Sequence, residues 1–133
     1  MRPKFQTVGE IKLGNMIFAK ERSSAFDVAA KLLEMHESGM PVIDQSDRVV
    51  GFISEQDILQ ALRGPGRLEE IMVREIMNPT VVVAEEGATL EDVSKVMEDL
   101  QIHRLPVVDG DKLIGTVTRH DLIRAWLGMN IEV

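Results

Sequence analysis

Residues 41–57 read PVIDQSDRVVGFISEQD, and residues 106–121 read PVVDGDKLIGTVTRHD. Each stretch contains two short apolar runs on either side of an acidic turn, which is typical of a β-hairpin. Each then reaches a Ser or Thr that is followed three residues later by Asp, a pattern that indicates the start of a helix. The second stretch is one residue shorter, and the loss falls in the turn, where a change of length is best tolerated. The chain therefore contains one strand–turn–strand–helix unit twice.

The duplication extends over nearly the whole chain of 133 residues. Val8–Ile11 corresponds to Val73–Ile76 at an offset of 65, and after the turn the offset becomes 64, as between Asp47 and Asp111. A period this long indicates a duplicated domain-sized unit rather than a solenoid. We assign the copies to residues 1–66 and 67–133, with Gly64-Pro65-Gly66 as the linker. Since units of this size bury too little surface to be stable alone, we expect the two to pack together.

Each copy predicts the order β-α-β-β-α, in which a short apolar strand precedes an amphipathic helix, a hairpin and a closing helix. The predicted strands and closing helices are Met16–Ala19, Pro41–Asp44, Val49–Ser54 and Glu55–Arg63 in the first copy, and Val81–Ala84, Leu105–Asp109, Leu113–Thr118 and Arg119–Leu127 in the second. Gly64 and Gly128 follow the closing helices, where a helix end favours a positive φ. The predicted fold class is α/β (α+β), built from two tandem units.

Composition excludes several classes of protein. Hydrophobic residues make up 44% of the chain and charged residues 28%, as in globular proteins. No apolar run reaches the roughly 18 residues of a membrane span, and the N-terminal residues lack the apolar region of a secretory signal. The lack of Cys excludes disulfides and Cys-based zinc sites, and a net charge of −7 argues against a nucleic-acid interface. We expect a cytoplasmic protein that binds neither membranes nor nucleic acid.

Three motifs of the second copy occur in a fixed order: Val73–Met77, the strand His103–Asp109, and Gly115-x-x-Thr118-x-x-Asp121. The first copy repeats the last motif with Gly51, Ser54 and Asp57. Together these motifs resemble the cystathionine-beta-synthase (CBS) domain family over almost the whole chain. The resemblance implies the paired fold called a Bateman module, in which two β-α-β-β-α units pack with pseudo-two-fold symmetry. Such modules commonly bind AMP, ATP or related adenosyl compounds, commonly form flat homodimers and often regulate an enzyme or channel.

The corner between the last strand and the closing helix has two interpretations. As a capping box, Thr118 accepts a backbone N–H and Asp121 complements the helix dipole, which is a purely structural role. A carboxylate can also accept hydrogen bonds from both hydroxyls of a ribose, while the helix N-terminus and the Thr118 hydroxyl face a phosphate. The family resemblance places ribose at this Asp. We therefore expect Asp121 to cap its helix and to bind ligand.

The two copies differ in charge around this corner. Glu55 and Gln56 of the first copy stand where the second has Arg119 and His120, so a phosphate near Glu55 would meet like charge. His103, Arg104, Arg119 and His120 form a potentially cationic cluster, although a solvated surface with internal ion pairs explains these residues equally well. We predict that the second-copy site is the better nucleotide site. The first-copy site is then empty or holds an uncharged nucleoside.

The predicted ligand-binding residues of the preferred second-copy site are Thr80, Val81, His103, Arg104, Leu105, Pro106, Thr118, Arg119, His120 and Asp121. Those of the weaker first-copy site are Ile17, Gly39, Met40, Pro41, Ser54 and Asp57. The resemblance implies that adenine lies against Thr80-Val81 and the Leu105-Pro106 strand, although apolar residues in these segments also serve as core.

No arrangement of catalytic residues is evident, because the chain has three His, no Cys, no Walker loop and no Gly-x-Ser-x-Gly motif. We predict a protein that is not an enzyme, with no catalytic residues, no metal site and no required cofactor. The predicted function is a stand-alone regulatory module that binds an adenine nucleotide in the cleft between its two units. Binding changes its conformation and signals to a regulated protein that the sequence does not identify. The alternative is a ligand-free scaffold for dimerisation, and Trp126 covers either the core or the partner chain of a homodimer.

Overall fold

The computed structural model describes residues 7–14 and 16–129. The chain divides into two compact units. The first unit comprises Ile17–Val81, and the second comprises the residues up to 16 together with those from 82 onward. These units differ from the sequence copies, 1–66 and 67–133, because the opening segment of each copy belongs to the other unit. Residues 7–14 and 16 belong to the second unit, and residues 67–81 belong to the first. Within the described residues, no helix combines the length and apolar character needed to cross a membrane.

The first unit contains one three-stranded sheet and two long helices. Its elements are β1 (Ala19–Lys20), α1 (Ala25–Met35), β2 (Gly39–Ile43), β3 (Val49–Ser54), α2 (Glu55–Leu62), a 3-10 turn (Leu68–Glu70) and α3 (Val73–Ile76). Strand β1 runs parallel to β2, with Ala19 opposite Val42, and β2 runs antiparallel to β3, with Gly39 opposite Ser54. The predicted β-α-β-β-α order is therefore confirmed for this unit.

The second unit repeats this architecture. Its elements are a 3-10 turn (Val8–Glu10), β4 (Ala84–Glu85), α4 (Leu90–Leu100), β5 (Arg104–Asp109), β6 (Lys112–Thr118) and α5 (Arg119–Trp126). Strand β4 runs parallel to β5, with Ala84 opposite Val107, and β5 runs antiparallel to β6, with Arg104 opposite Thr118. Each unit has its own cluster of buried apolar side chains between its sheet and its helices. The mixed α/β (α+β) fold class is confirmed.

Local sequence signals place most of the helix ends. Ser24 and Thr89 cap α1 and α4, each accepting the backbone N–H of the residue three positions later. Gly110 has a φ of 66° in the β5–β6 turn and Gly128 a φ of 72° after α5, which agrees with the turn and helix-end predictions. The prediction for Gly64 is wrong. Gly64 and Gly128 each donate to the carbonyl three residues earlier at 3.1 Å, but only after Gly128 does the next residue, Met129, bond back to the Arg124 carbonyl, at 2.7 Å. Pro65 follows Gly64 and has no N–H for that second bond, so no left-handed residue is needed there.

The first strand of each unit is shorter than predicted. Met16–Ala19 and Val81–Ala84 were expected as strands, but pairing with the neighbouring strand begins only at Ala19 and Ala84. The Phe18 carbonyl accepts a hydrogen bond from the Lys31 ammonium instead of a ladder partner. A run of apolar residues does not by itself specify backbone pairing, and Met16 and Val82 in these segments are exposed, so the predicted strands were too long.

The opening segment of each copy pairs with the third strand of the unit to which it belongs. Phe52 and Asn78 exchange two backbone hydrogen bonds, of 2.8 and 2.9 Å, and the Gly14 N–H bonds the Thr116 carbonyl at 2.9 Å. The glycine of the Gly-x-x-Ser/Thr-x-x-Asp motif leaves room for this approach. A Cβ on Gly51 would lie 2.5 Å from Met77 Sδ, and one on Gly115 would lie 2.8 Å from Leu13 Cβ.

Candidate functional site

The corner between β6 and α5 is a complete capping box. Thr118 has extended backbone, and its hydroxyl oxygen accepts the Asp121 N–H at 3.1 Å. In return, Asp121 Oδ2 accepts the Thr118 N–H at 2.8 Å. Asp121 is buried, which is unusual for a carboxylate unless it is paired or hydrogen-bonded. The capping half of the prediction for Thr118 and Asp121 is therefore confirmed.

Asp121 has a second partner that the sequence analysis missed. Arg124 lies one helical turn further along α5, and its Nη1 donates to Asp121 Oδ1 at 3.0 Å. Both carboxylate oxygens of Asp121 are thus engaged, one by the cap and one by a guanidinium. The spacing of three residues between Asp and Arg on a helix was the available signal.

The first unit has the same capping box between β3 and α2, but without an arginine bound to its Asp. Asp57 Oδ2 accepts the Ser54 N–H at 2.9 Å and the Ser54 hydroxyl at 3.0 Å, and the Asp57 N–H bonds the Ser54 oxygen at 3.2 Å. Gln60 occupies the position that corresponds to Arg124 and is exposed. In the described part of the chain, Asp57 Oδ1 accepts no hydrogen bond. The two corners therefore share a cap and differ at the outer carboxylate oxygen.

Each corner lies beside the start of the middle strand of its sheet. Gly39 is opposite Ser54, and Arg104 is opposite Thr118. The Arg119 N–H bonds the His103 carbonyl at 3.0 Å, just as the first turn of α2 bonds the residue before β2. Antiparallel pairing therefore brings predicted site residues from two separate stretches of sequence together at one end of each sheet, where the middle strand begins and the third strand ends.

Several predicted site residues have their side chains in the core. Met40 and Leu105 are 1% and 2% exposed, and Pro41 and Pro106 are also buried. Ile17 precedes β1 and packs, half-buried, against the core of the first unit. At these positions a ligand at the sheet edge could reach the backbone, but not the buried side chains.

The structure assigns Thr80 and Val81 to the first unit, although the sequence groups them with the second-copy site. Thr80 is exposed, and its N–H bonds Asn78 Oδ1 at 2.9 Å. Val81 is half-buried. The remaining second-copy residues, His103 to Pro106 and Thr118 to Asp121, all belong to the second unit.

The predicted cationic cluster is divided between the first turn of α5, with Arg119 and His120, and the start of β5, with Arg104 and the preceding His103. His103 and His120 are exposed, whereas Arg119 Nε donates to the Ile102 carbonyl at 3.2 Å. Arg119 also lines a groove of about 480 Å³ between α4 and α5, together with Trp126. Trp126 packs against the core of the second unit on one side and lines this groove on the other. Among the described residues, no three His, Asp or Glu side chains are grouped to hold a metal ion.

Comparison with known families finds two matches in tandem. The family described as CBS domain matches residues 8–64 and again residues 73–128. CBSX1 of Arabidopsis thaliana, named as a chloroplastic CBS domain-containing protein, is 32% identical over 151 residues, covering 91% of this chain and 64% of its own length. Protein MJ1426 of Methanocaldococcus jannaschii is 32% identical over 162 residues, covering 93% of this chain and 96% of its own. The chain spans 64% and 61% of the first two curated relatives it matches.

Solved structures agree with the sequence matches. CBSX2 in complex with AMP has a TM-score of 0.76 at 31% identity, over 96% of this chain and all of its own. The CBS domain pair of MJ0100, in complex with 5-methylthioadenosine and S-adenosyl-L-methionine, has a TM-score of 0.69 at 28% identity. That match covers 92% of this chain and 96% of the MJ0100 chain.

Proposed function

This chain belongs to the CBS domain family, and we propose that its tandem pair is a regulatory module that binds an adenine nucleotide and responds with a change of conformation. The observation that carries the proposal is the carboxylate held at the start of a helix in each unit, Asp57 and Asp121. AMP, 5-methylthioadenosine and S-adenosyl-L-methionine, the ligands of the two related structures, all contain an adenosine group. Adenosine presents a ribose diol, which a carboxylate recognises by accepting two hydrogen bonds.

The arrangement of the second corner suits a nucleotide. We assign Asp121 to the ribose hydroxyls, which compete with Arg124 for Oδ1, and the first turn of α5 offers a partial positive charge to a phosphate. Arg104 begins β5 beside this corner and adds positive charge, and His103 and His120 are potentially cationic neighbours. The buried Leu105 and Pro106 leave only backbone at the strand start to hydrogen-bond the adenine ring, which fits a base recognised by main-chain groups.

Charge favours the second corner for phosphorylated ligands. Both helices have an Asp in the first turn, but α2 begins with Glu55 and Gln56, whereas α5 begins with Arg119 and His120. A phosphate at the first corner would meet like charge, so we assign nucleotides to the second corner and an uncharged nucleoside, or no ligand, to the first. Binding then selects one of the conformations available to the free module, and a regulated protein responds to that conformation.

We propose a regulatory role without catalysis and without a required cofactor. Cytoplasmic location stays a prediction, since the relative CBSX1 is named as a chloroplastic protein. The regulated protein is identified only as one that distinguishes the ligand-bound from the ligand-free module.

Exposed apolar side chains on the helices support a homodimer. Dimerisation is compatible with the regulatory role, and it is the main role in the alternative of a ligand-free scaffold. These side chains are Phe26, Leu33, Leu59 and Leu62 on α1 and α2, and Leu100 and Ile123 on α4 and α5. Leu33 is 74% exposed, the largest fraction among them. We propose that these exposed apolar positions contact a second copy of the chain.

Isothermal titration with AMP tests the proposed ligand. Charged hydrogen bonds contribute about 1.5 to 3 kcal/mol, so Asp121→Ala should weaken AMP binding by about tenfold to a hundredfold. Asp57→Ala should have a smaller effect, because the nucleotide is assigned to the other corner. Asp92→Ala is the matched control, since Asp92 holds the same first-turn position in α4 and belongs to neither capping box. It should leave AMP binding unchanged.

Two results would contradict the proposal in different ways. Absence of heat and of a thermal shift with AMP, ADP, ATP and S-adenosylmethionine would favour the ligand-free scaffold. Equal losses from Asp121→Ala and Asp57→Ala would leave nucleotide binding intact as a function, but would remove the assigned preference for the second corner.

A further inference from the structure

The two ribose-binding corners proposed above share the backbone cap and differ chiefly at Asp Oδ1, although Asp57 Oδ2 also accepts the Ser54 hydroxyl at 3.0 Å. Asp121 Oδ1 accepts the Arg124 guanidinium at 3.0 Å, whereas Asp57 Oδ1 accepts no hydrogen bond within the described residues. The backbone caps are otherwise matched, with Asp Oδ2 bonded to the N-cap N–H at 2.8 Å in one corner and 2.9 Å in the other. The residue three positions after each Asp accounts for the difference, because it is Arg124 in α5 and Gln60 in α2.

We propose that Arg124 is a latch on the second corner, which a ribose diol must displace before it can bind Asp121. This inference rests on the proposed function, because it concerns access to the same carboxylate. The cap uses Oδ2, so Oδ1 is the oxygen that is left to accept from a ligand. In the first corner that oxygen is open to a diol, and in the second it is occupied by a charge-assisted hydrogen bond.

The geometry lets the latch open without unfolding the helix. The Arg124 side chain is 55% exposed and that of Asp121 is 12% exposed. The guanidinium can therefore leave toward water, while the carboxylate stays anchored by the Thr118 N–H. A pair with one exposed partner contributes little to stability, so its main effect falls on what competes for the carboxylate.

The latch sets the specificity of the second corner. A ligand with hydroxyls alone must release Arg124 into solvent, which weakens its binding. Adenosine is therefore the most sensitive probe, because it has the diol and no charge of its own. The consequence is a second corner with an intrinsic resistance to uncharged nucleosides that the first corner lacks.

Adenosine titrations of single-corner proteins test the latch. Asp57→Asn leaves only the second carboxylate, and Asp121→Asn leaves only the first; the Asn oxygen can still accept the cap N–H. In the Asp57→Asn protein, adding Arg124→Gln should tighten adenosine binding about threefold to fivefold, the size expected for one exposed ion pair. In the Asp121→Asn protein, adding Gln60→Arg should weaken it by a similar factor, because it installs the latch in the other corner.

Salt provides a second readout that a merely structural arginine would not produce. Between about 0.01 M and about 1 M salt the Debye length falls from about 30 Å to about 3 Å, which weakens the ion pair. Adenosine binding to the Asp57→Asn protein should therefore strengthen with salt more than it does when Arg124→Gln is also present.

The outcomes separate the latch from the function on which it rests. If AMP binds the Asp57→Asn protein but Arg124→Gln leaves adenosine binding unchanged or weaker, the latch is overturned and nucleotide binding stands. If neither AMP nor adenosine binds any of the proteins, the proposed function fails and the latch fails with it. Thermal melting of each variant checks that the fold is retained.

Discussion

Replacing Gly51 with Ala should loosen the opening segment that pairs with β3. An added Cβ would lie 2.5 Å from Met77 Sδ and 2.8 Å from the Asn78 carbonyl oxygen. The methionine side chain can move, but the carbonyl is backbone and is held by the Phe52 N–H at 2.8 Å. The segment must therefore shift, and both of its hydrogen bonds to Phe52 are strained.

The expected cost follows from these contacts. Overpacking costs about 1 to 3 kcal/mol, and a weakened backbone hydrogen bond adds about 0.5 to 1.5 kcal/mol. We expect Gly51→Ala to lower the free energy of unfolding by about 2 to 3 kcal/mol, with a fall in Tm of about 6 to 12 °C for a chain of this size. Calorimetry gives the Tm, and hydrogen exchange should show faster exchange of the Phe52 and Asn78 amides.

Gly87→Ala is the matched control, because nothing lies within 4 Å of the added Cβ. Its Tm should stay level or rise slightly, because alanine lowers the conformational entropy of the unfolded chain and so raises the free energy of unfolding by about 0.4 to 1 kcal/mol. Melting of Gly51→Ala within about 1 °C of the unmodified protein would refute the steric argument. Equal destabilisation by both substitutions would refute it as well.

Two further predictions concern assembly and pH. Leu33→Glu and Ile123→Glu place charge on exposed apolar helix positions and should shift the sedimentation coefficient from that of a dimer to that of a monomer. Glu34→Gln, next to Leu33, is the control and should leave the coefficient unchanged. An unchanged coefficient for the two Glu variants would show that these helix faces are not in the dimer interface. The Arg48 backbone N–H, together with the Ser46 N–H and the Arg48 side chain, lowers the pKa of Asp44 below its ordinary value. A lowered folded-state pKa gives stability that is present above the unfolded-state pKa and is lost as pH falls through the folded-state value. The Tm advantage over Asp44→Asn should therefore shrink in acid, and an NMR titration placing the Asp44 pKa at or above its ordinary value would contradict this.

Local features of the fold could be predicted from the sequence because their determinants are close together along the chain. The hairpins need only two apolar runs and a turn, and the capping boxes need only Ser or Thr with Asp three residues later. Both were confirmed by the structure, as was the left-handed conformation of Gly128. Gly64 was predicted wrongly because a glycine after a helix permits a left-handed residue without requiring one.

Contacts between distant parts of the chain could not be predicted in the same way. Gly14 pairs with Thr116, and no pattern in either segment specifies the other. The glycine of the Gly-x-x-Ser/Thr-x-x-Asp motif was recognised as a family signal, but its physical reason, the close approach of Met77 or Leu13, depends on that long-range pairing.

Arg124 was missed for a different reason. The sequence shows an arginine three residues after Asp121, which is compatible with many exposed ion pairs of no consequence. Only the structure shows that the cap uses one carboxylate oxygen and the arginine uses the other. The positions of candidate site residues were therefore easier to predict than which of their atoms remain open to a ligand.

The duplicated corner separates what the fold requires from what a ligand site can vary. The cap pairs, Ser54 with Asp57 and Thr118 with Asp121, are fixed because each helix start needs its N–H groups satisfied. The neighbouring positions 55, 60, 119 and 124 are exposed, so the helix accepts either charge there at little cost in stability. Substitutions at these positions can therefore change the charge and access of one corner while the other keeps its own. Under the proposed function, such substitutions give the two corners different ligand preferences without a change in the backbone.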